Sequence, residues 1–107
     1  MRVIRLCAAL PRSPVGRVIG DQLLRAGTSV GAHYREASRA RSTAEFVSKI
    51  EGGLQELEES SYWLELLVDA AILPKSRLAG LIGEADELAA IFVTCSKNAK
   101  AKSKARP

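Results

Sequence analysis

Residues 42–71 read STAEFVSKIEGGLQELEESSYWLELLVDAA, and the rhythm of that stretch decides the fold. It opens on a capping box: Ser42 stands where a side-chain oxygen takes an early free amide, and Glu45, three residues on, reaches back. Phe46, Ile50, Leu54, Leu57, Leu64, Leu67, Val68 and Ala71 then recur at intervals that lay one stripe along an α-helix. At 1.5 Å per residue, a helix from Thr43 to Ala71 is about 43 Å long. That is too long for a compact globule of 107 residues to cover by itself.

Working outward, Arg39–Arg41 forms a polar joint, and before it lies a second helical pattern from Pro14 to Ala37. Ser13-Pro14 reads as an N-cap followed by proline at the first helical position. Val15, Ile19, Leu23, Leu24, Val30 and Tyr34 share one half of that helix, and Arg17, Asp21, Arg25, Thr28 and Arg35 the other. Gly16, Gly20, Gly27 and Gly31 fall on the apolar side, each costing about 1 kcal/mol of helix propensity relative to alanine. Such a stripe predicts either a close-packed neighbouring helix or a helix broken near Gly27. Val3–Leu10 reads as a short first helix ended by Pro11. On the other side, Pro74 stops the long helix and a fourth runs from Ser76 to Asn98, with Leu78, Leu81, Ile82, Ala85, Leu88, Ala89, Phe92 and Cys95 inward. The expected fold is all-α: an antiparallel up-and-down four-helix bundle with a short first helix over residues 1–98, then a basic, disordered tail over 99–107.

Composition fits this reading. Hydrophobic residues make up 47% and charged residues 26%, and the aromatics are only Phe46, Phe92, Tyr34, Tyr62 and Trp63. No apolar run approaches the roughly 18 residues that cross a bilayer. Met1–Leu10 is short and interrupted by Arg5, which argues against a secretory leader. Cys7 and Cys95 have no metal-ligand spacing and read as small buried hydrophobes, with a bridge between the first and last helices as the alternative. The expected location is the reduced cytoplasm.

The net charge of +4 is unevenly spread. Met1–Arg41 carries eight arginines against Asp21 and Glu36; Ser42–Ser96 carries Lys49, Lys75 and Arg77 against ten acids; Lys97–Pro107 adds five bases and no acid. One reading sets basic and acidic helices side by side, within or between subunits. The other makes Arg25, Arg35, Arg39, Arg41, Lys49 and the tail a face for nucleic-acid backbone, RNA or DNA, salt-sensitive and poor in sequence preference. No aromatic residue alternates with these arginines to stack on bases. Arg25 is also expected to pair with Glu56 or Glu59, and the half-buried charges Glu56 and Lys49 to need partners.

Catalytic patterns are missing. His33 is the only histidine and reads as a core-edge residue hydrogen-bonded to a neighbour. No Cys/His set has zinc spacing, and Gly16–Gly20 lacks a phosphate-loop lysine. The glutamates at 51, 56, 58, 59 and 65 lack the Glu-x-x-His partner of a metal bundle. No metal, cofactor or enzyme activity is expected. Tyr62 and Leu66 project away from the inner stripe, Trp63 sits at its border, and the three mark a candidate subunit interface.

Four blocks carry a family resemblance: Gly20–Ala32 (GDQLLRAGTSVGA) with Arg35-Glu36-Ala37, Ser42–Lys49 (STAEFVSK), Glu56–Leu67 (ELEESSYWLELL) and Glu84–Leu88 (EADEL). In order and separation they resemble the 23S rRNA-intervening sequence proteins, over most of the chain. The resemblance implies an antiparallel four-helix bundle assembling as a ring, with a homopentamer known in the family. It also brings a relative, the accessory variability protein of diversity-generating retroelements, a pentameric barrel engaging nucleic acid and a reverse transcriptase. The family usually has Asn where His33 stands, and its first helix is usually longer. The functional expectation is a non-enzymatic homo-oligomeric bundle binding RNA or DNA backbone. The alternative is a protein–protein adaptor with no nucleic-acid role.

Overall fold

The computed structural model describes residues 2–105; Met1, Arg106 and Pro107 lie outside the described residues. Its elements are α1 (Arg2–Ala8), α2 (Pro14–Ser38), α3 (Thr43–Asp69) and α4 (Lys75–Ala105). The starts are those the caps dictate. Ser13 Oγ accepts from the Gly16 N–H at 3.0 Å with Pro14 opening α2, and Ser42 Oγ accepts from the Glu45 N–H at 3.1 Å. The α2 helix is continuous through Gly27.

The end of α3 is closed by a Schellman motif. The Ile72 N–H reaches the Leu67 carbonyl and the Ala71 N–H the Val68 carbonyl, each at 3.0 Å. That closure places Ala71 at φ 56°, a left-handed conformation usually left to glycine. It also ends α3 two residues before the expected Ala71.

The fourth helix departs most from expectation. It continues to Ala105, past Asn98, so residues 99–105 are helical where a disordered tail is expected. Two causes act together. Ala99, Lys100, Ala101, Lys102 and Lys104 are good helix formers, and the extension is tied to α3. Lys100 Nζ lies 2.6 Å from Glu51 Oε1, and Ser96 Oγ donates to the same oxygen at 3.2 Å.

Side-chain pairs fix the antiparallel register. Moving along α2 from Arg25 to Glu36, partners on α3 fall back from Glu56 and Glu59 to Lys49. The chain is a rod with extents of 56 × 21 × 18 Å. The long α3 is therefore flanked by helices of 25 and 31 residues along its length, and its own 27 residues are not stranded.

Two core clusters divide the rod. The first contains Ile19, Leu23, Leu64, Leu67, Leu73 and Leu78, with Val3, Leu6, Cys7 and Leu10 of the α1 segment packed on it. The second contains Ala37, Ile50, Leu57, Ala85 and Phe92, with no residue from α1. Thus α1 covers one half only. Its seat explains two of the striped glycines: a Cβ on Gly20 would lie 2.8 Å from Leu10, and one on Gly27 would lie 2.9 Å from Val3. Gly31, beyond the reach of α1, faces open space. An exposed ion pair, Arg2 to Glu84 at 3.0 Å, ties the start of α1 to α4. The two cysteines are free and half-buried, Cys7 on the first cluster and Cys95 on the second. Burial, and then the charge of Asp21, push the Cys7 thiol up, and its Sγ contacts the Gly20 carbonyl at 3.4 Å.

Candidate functional site

The basic residues expected to act together are separated by the fold into two kinds. Arg25 is engaged: its guanidinium contacts Glu59 and lies 3.4 Å from Glu56, as the sequence pairing anticipates. Lys49 is engaged as well, at 2.8 Å from Glu36. The Lys49 hydrogen bond and charge hold the Glu36 carboxyl below its ordinary range, and Glu36 in turn raises Lys49. By contrast, Arg35, Arg39 and Arg41 are exposed and, among the described residues, lie beyond ion-pair distance of any acid.

Arg39 and Arg41 flank the α2–α3 joint, and the extension of α4 brings further charge to the same end. One surface hollow there is lined by Arg41, Ser42 and Thr43 from the joint and by Lys102 and Ser103 from α4. Lys102 and Lys104 are exposed and, among the described residues, are likewise unpaired. Two stretches more than fifty residues apart in sequence thus meet at Arg41 and Lys102, with Arg39 and Lys104 two residues beyond them along the chain. The tail was legible as basic; its position was not, because that depends on the helix continuing past Asn98. Arg5, Arg12, Arg17, Lys75 and Arg77 make the opposite end basic too, diluted there by Asp21 and Asp69.

His33 sits at the edge of the core, against the backbone of Gly52 and Gly53. The expected hydrogen bond is not made: Nδ1 is buried without a partner, with Glu36 Oε1 4.0 Å away. Tyr34, read as an inward residue, is 59% exposed and lies over Phe92, centroids 6.2 Å apart.

The candidate subunit surface also changes shape. Of Tyr62, Trp63 and Leu66, only Tyr62 is exposed; Trp63 and Leu66 are half-buried on the first cluster, with Tyr62 edge-on to Trp63 at 5.0 Å. The structure adds Val15 and Val18, 57% and 61% exposed. Arg25 and Glu59 touch, and Val18 and Leu66 lie two turns from them on the same faces of their helices. Val15, Val18, Tyr62 and Leu66 therefore form one apolar strip beside that ion pair. Among the described residues, no group of His, Cys, Asp and Glu is placed to hold a metal ion, and no helix is long and apolar enough to cross a membrane.

This arrangement of helices is found in a known protein. A crystal structure of a protein of unknown function from the S23 ribosomal protein family of Bacteroides thetaiotaomicron superposes with a TM-score of 0.84. It is 32% identical, covering 90% of this chain and 89% of that one. No curated protein shows significant similarity. The family model for 23S rRNA-intervening sequence proteins matches residues 1–94, which takes in all of α1, α2 and α3 and most of α4. With that match and the shared fold, the chain belongs to the 23S rRNA-intervening sequence protein family.

Proposed function

We propose that the chain is a non-enzymatic, self-associating helical rod that holds nucleic-acid backbone at its α2–α3 joint end. The observation that carries the reading is the meeting of Arg41 with Lys102 in one hollow, with Arg39 and Lys104 two residues away along the chain, all four exposed and unpaired among the described residues. Unpaired arginines and lysines gathered on one end release counterions when they meet phosphates, and they discriminate little between sequences. Arg25 and Lys49 leave the set, since Glu56, Glu59 and Glu36 already neutralise them. Arg35 remains at its margin.

Filter binding of a structured RNA and of duplex DNA across a salt series tests it. Arg39→Ala with Arg41→Ala, and Lys102→Ala with Lys104→Ala, are each expected to weaken binding about tenfold or more and flatten the salt slope by about two. Arg25→Ala should leave the slope unchanged. An unaltered slope in both double variants sinks the reading.

Self-association has its own support in the strip of Val15, Val18, Tyr62 and Leu66. It would place several basic ends on one particle, a multivalency suited to weak phosphate contacts, and the pentameric ring implied by the resemblance is one such arrangement. Sedimentation of Val18→Ser with Tyr62→Ala is the check, with loss of the oligomer expected. An adaptor that docks a protein, such as a reverse transcriptase, is the reading to adopt if the oligomer forms and no nucleic acid binds.

A further inference from the structure

A cleft of about 760 Å³ opens beside the joint, between the first turns of α3 and the last turns of α4, with His33 of α2 on its wall. Its polar lining consists largely of hydrogen-bond donors. Thr43, Ser48 and Ser103 supply hydroxyls, and Lys49, Lys100 and Lys104 supply ammonium groups. The one carboxylate in the lining, Glu51, is already held by Lys100 and Ser96, and that contact keeps its carboxyl below the ordinary range. Lys49 is likewise taken by Glu36. Lys104 is left as the cation with no carboxylate partner among the described residues.

The histidine is seated there by a specific gap. Gly52 lines the cleft, and a Cβ on it would stand 2.9 Å from His33 Cε1 and 3.1 Å from Nδ1. The neighbouring Gly53 has a separate reason for lacking a side chain, because Phe92 lies 2.7 Å from its would-be Cβ. Gly52 is thus explained by the imidazole alone, at about 1 kcal/mol of helix propensity. The ring so seated keeps 29% of its side-chain surface open, and because Nδ1 is buried, contact with a ligand falls to Nε2.

We propose that this cleft is a phosphate subsite, in which His33, Ser48 and Lys104 hold one phosphoryl group of a nucleic-acid strand lying across the joint. A tetrahedral group with several acceptor oxygens suits a wall made of hydroxyl, ammonium and imidazole donors. The subsite relies on the nucleic-acid reading of the joint for the source of the phosphate, but not for the existence of an anion site.

His33 is the only histidine, so its imidazole resonances report on the cleft without ambiguity. The full chain is titrated with inorganic phosphate against sodium chloride at equal ionic strength, and separately with a short single-stranded RNA. Saturable movement of the His33 signals is expected with both. Ser48→Glu, an exposed change that places a carboxylate in the cleft, should abolish the phosphate response and weaken RNA binding about tenfold with the circular dichroism unchanged. Lys104→Ala should weaken both severalfold. No response to phosphate beyond that to chloride overturns the subsite. RNA binding by anisotropy with His33 unmoved overturns it too, while the joint reading stands. A phosphate response without RNA binding overturns the nucleic-acid source and leaves a small-anion site.

Discussion

The half of the rod that α1 covers and the half that it leaves open are built from the same three long helices, yet they are held together differently. In the covered half a fourth layer sits on Gly20 and Gly27, and the core is leucine-rich, with Leu23, Leu64, Leu67 and Leu78 fully buried. In the open half the core is thinner, built around Ile50, Leu57, Ala85 and Phe92, and ion pairs bind the helices at its margins: Lys49 to Glu36 and Lys100 to Glu51. Ion pairs occur in the covered half too, Arg2 to Glu84 and Arg25 to Glu59, so the halves differ in apolar burial, and the charge left unpaired at the open end forms the candidate site. The comparison teaches that the half with the smaller core is where the polar chemistry has room to be.

The largest effects should come from the cores. Leu64→Ala, at 1% exposure beneath α1, is expected to cost about 4 kcal/mol, and Ile50→Ala in the open half about 2 kcal/mol, because an uncovered site relaxes or admits water. Urea denaturation measures both, and equal losses would break the contrast. Next come two glycines on one stripe with opposite signs. Gly27→Val drives into Val3 and should destabilise by about 2 kcal/mol. Gly31→Ala meets nothing and should stabilise by about 1 kcal/mol. If both destabilise in thermal melts, the boundary of the covered half lies elsewhere. Ala71→Gly, at the covered end, should add about 1 kcal/mol by relieving the left-handed alanine, read in the same melts.

The smallest effect is electrostatic and is read in the open half. Glu36 and Glu51 have carboxyls lowered from an ordinary 4.5, each first of all by a lysine hydrogen bond. Their contribution is complete above that value and lost as the pH falls through the lower folded values. Lys49, raised from 10.5, acts in the opposite sense, complete below that value and lost as the pH climbs through the folded one. Amide protection, taken relative to the intrinsic exchange rate at each pH, should therefore fall first around Glu36, Lys49 and Glu51 on acidification, and a uniform fall would count against the division.

Most of the fold was legible because its signals are local. Ser13-Pro14, Ser42 and Pro74 punctuate the chain, and the stripe on α3 identifies its buried face. Arg25 with Glu56 and Glu59 was legible too, since two antiparallel helices joined by a short turn fix which residues stand level. The missing parts depend on relations that no window of sequence contains. The persistence of α4 past Asn98 depends on Glu51, nearly fifty residues earlier, and with it goes the meeting of Lys102 with Arg41. The orientation of Trp63 and Leu66 escaped a helical wheel because a stripe does not tell how widely neighbouring helices spread around it. Gly52 carried no readable reason until His33 was seen lying on it.

The single tryptophan gives the division a further use. Trp63 is packed on the cluster beneath α1, and the chain has no other indole. Intrinsic fluorescence therefore watches the covered half alone, whereas far-ultraviolet dichroism sums all of the helices. The two signals follow one curve only if the rod melts as a unit. Any gap between them measures how far the open half can come apart while the rest stays folded.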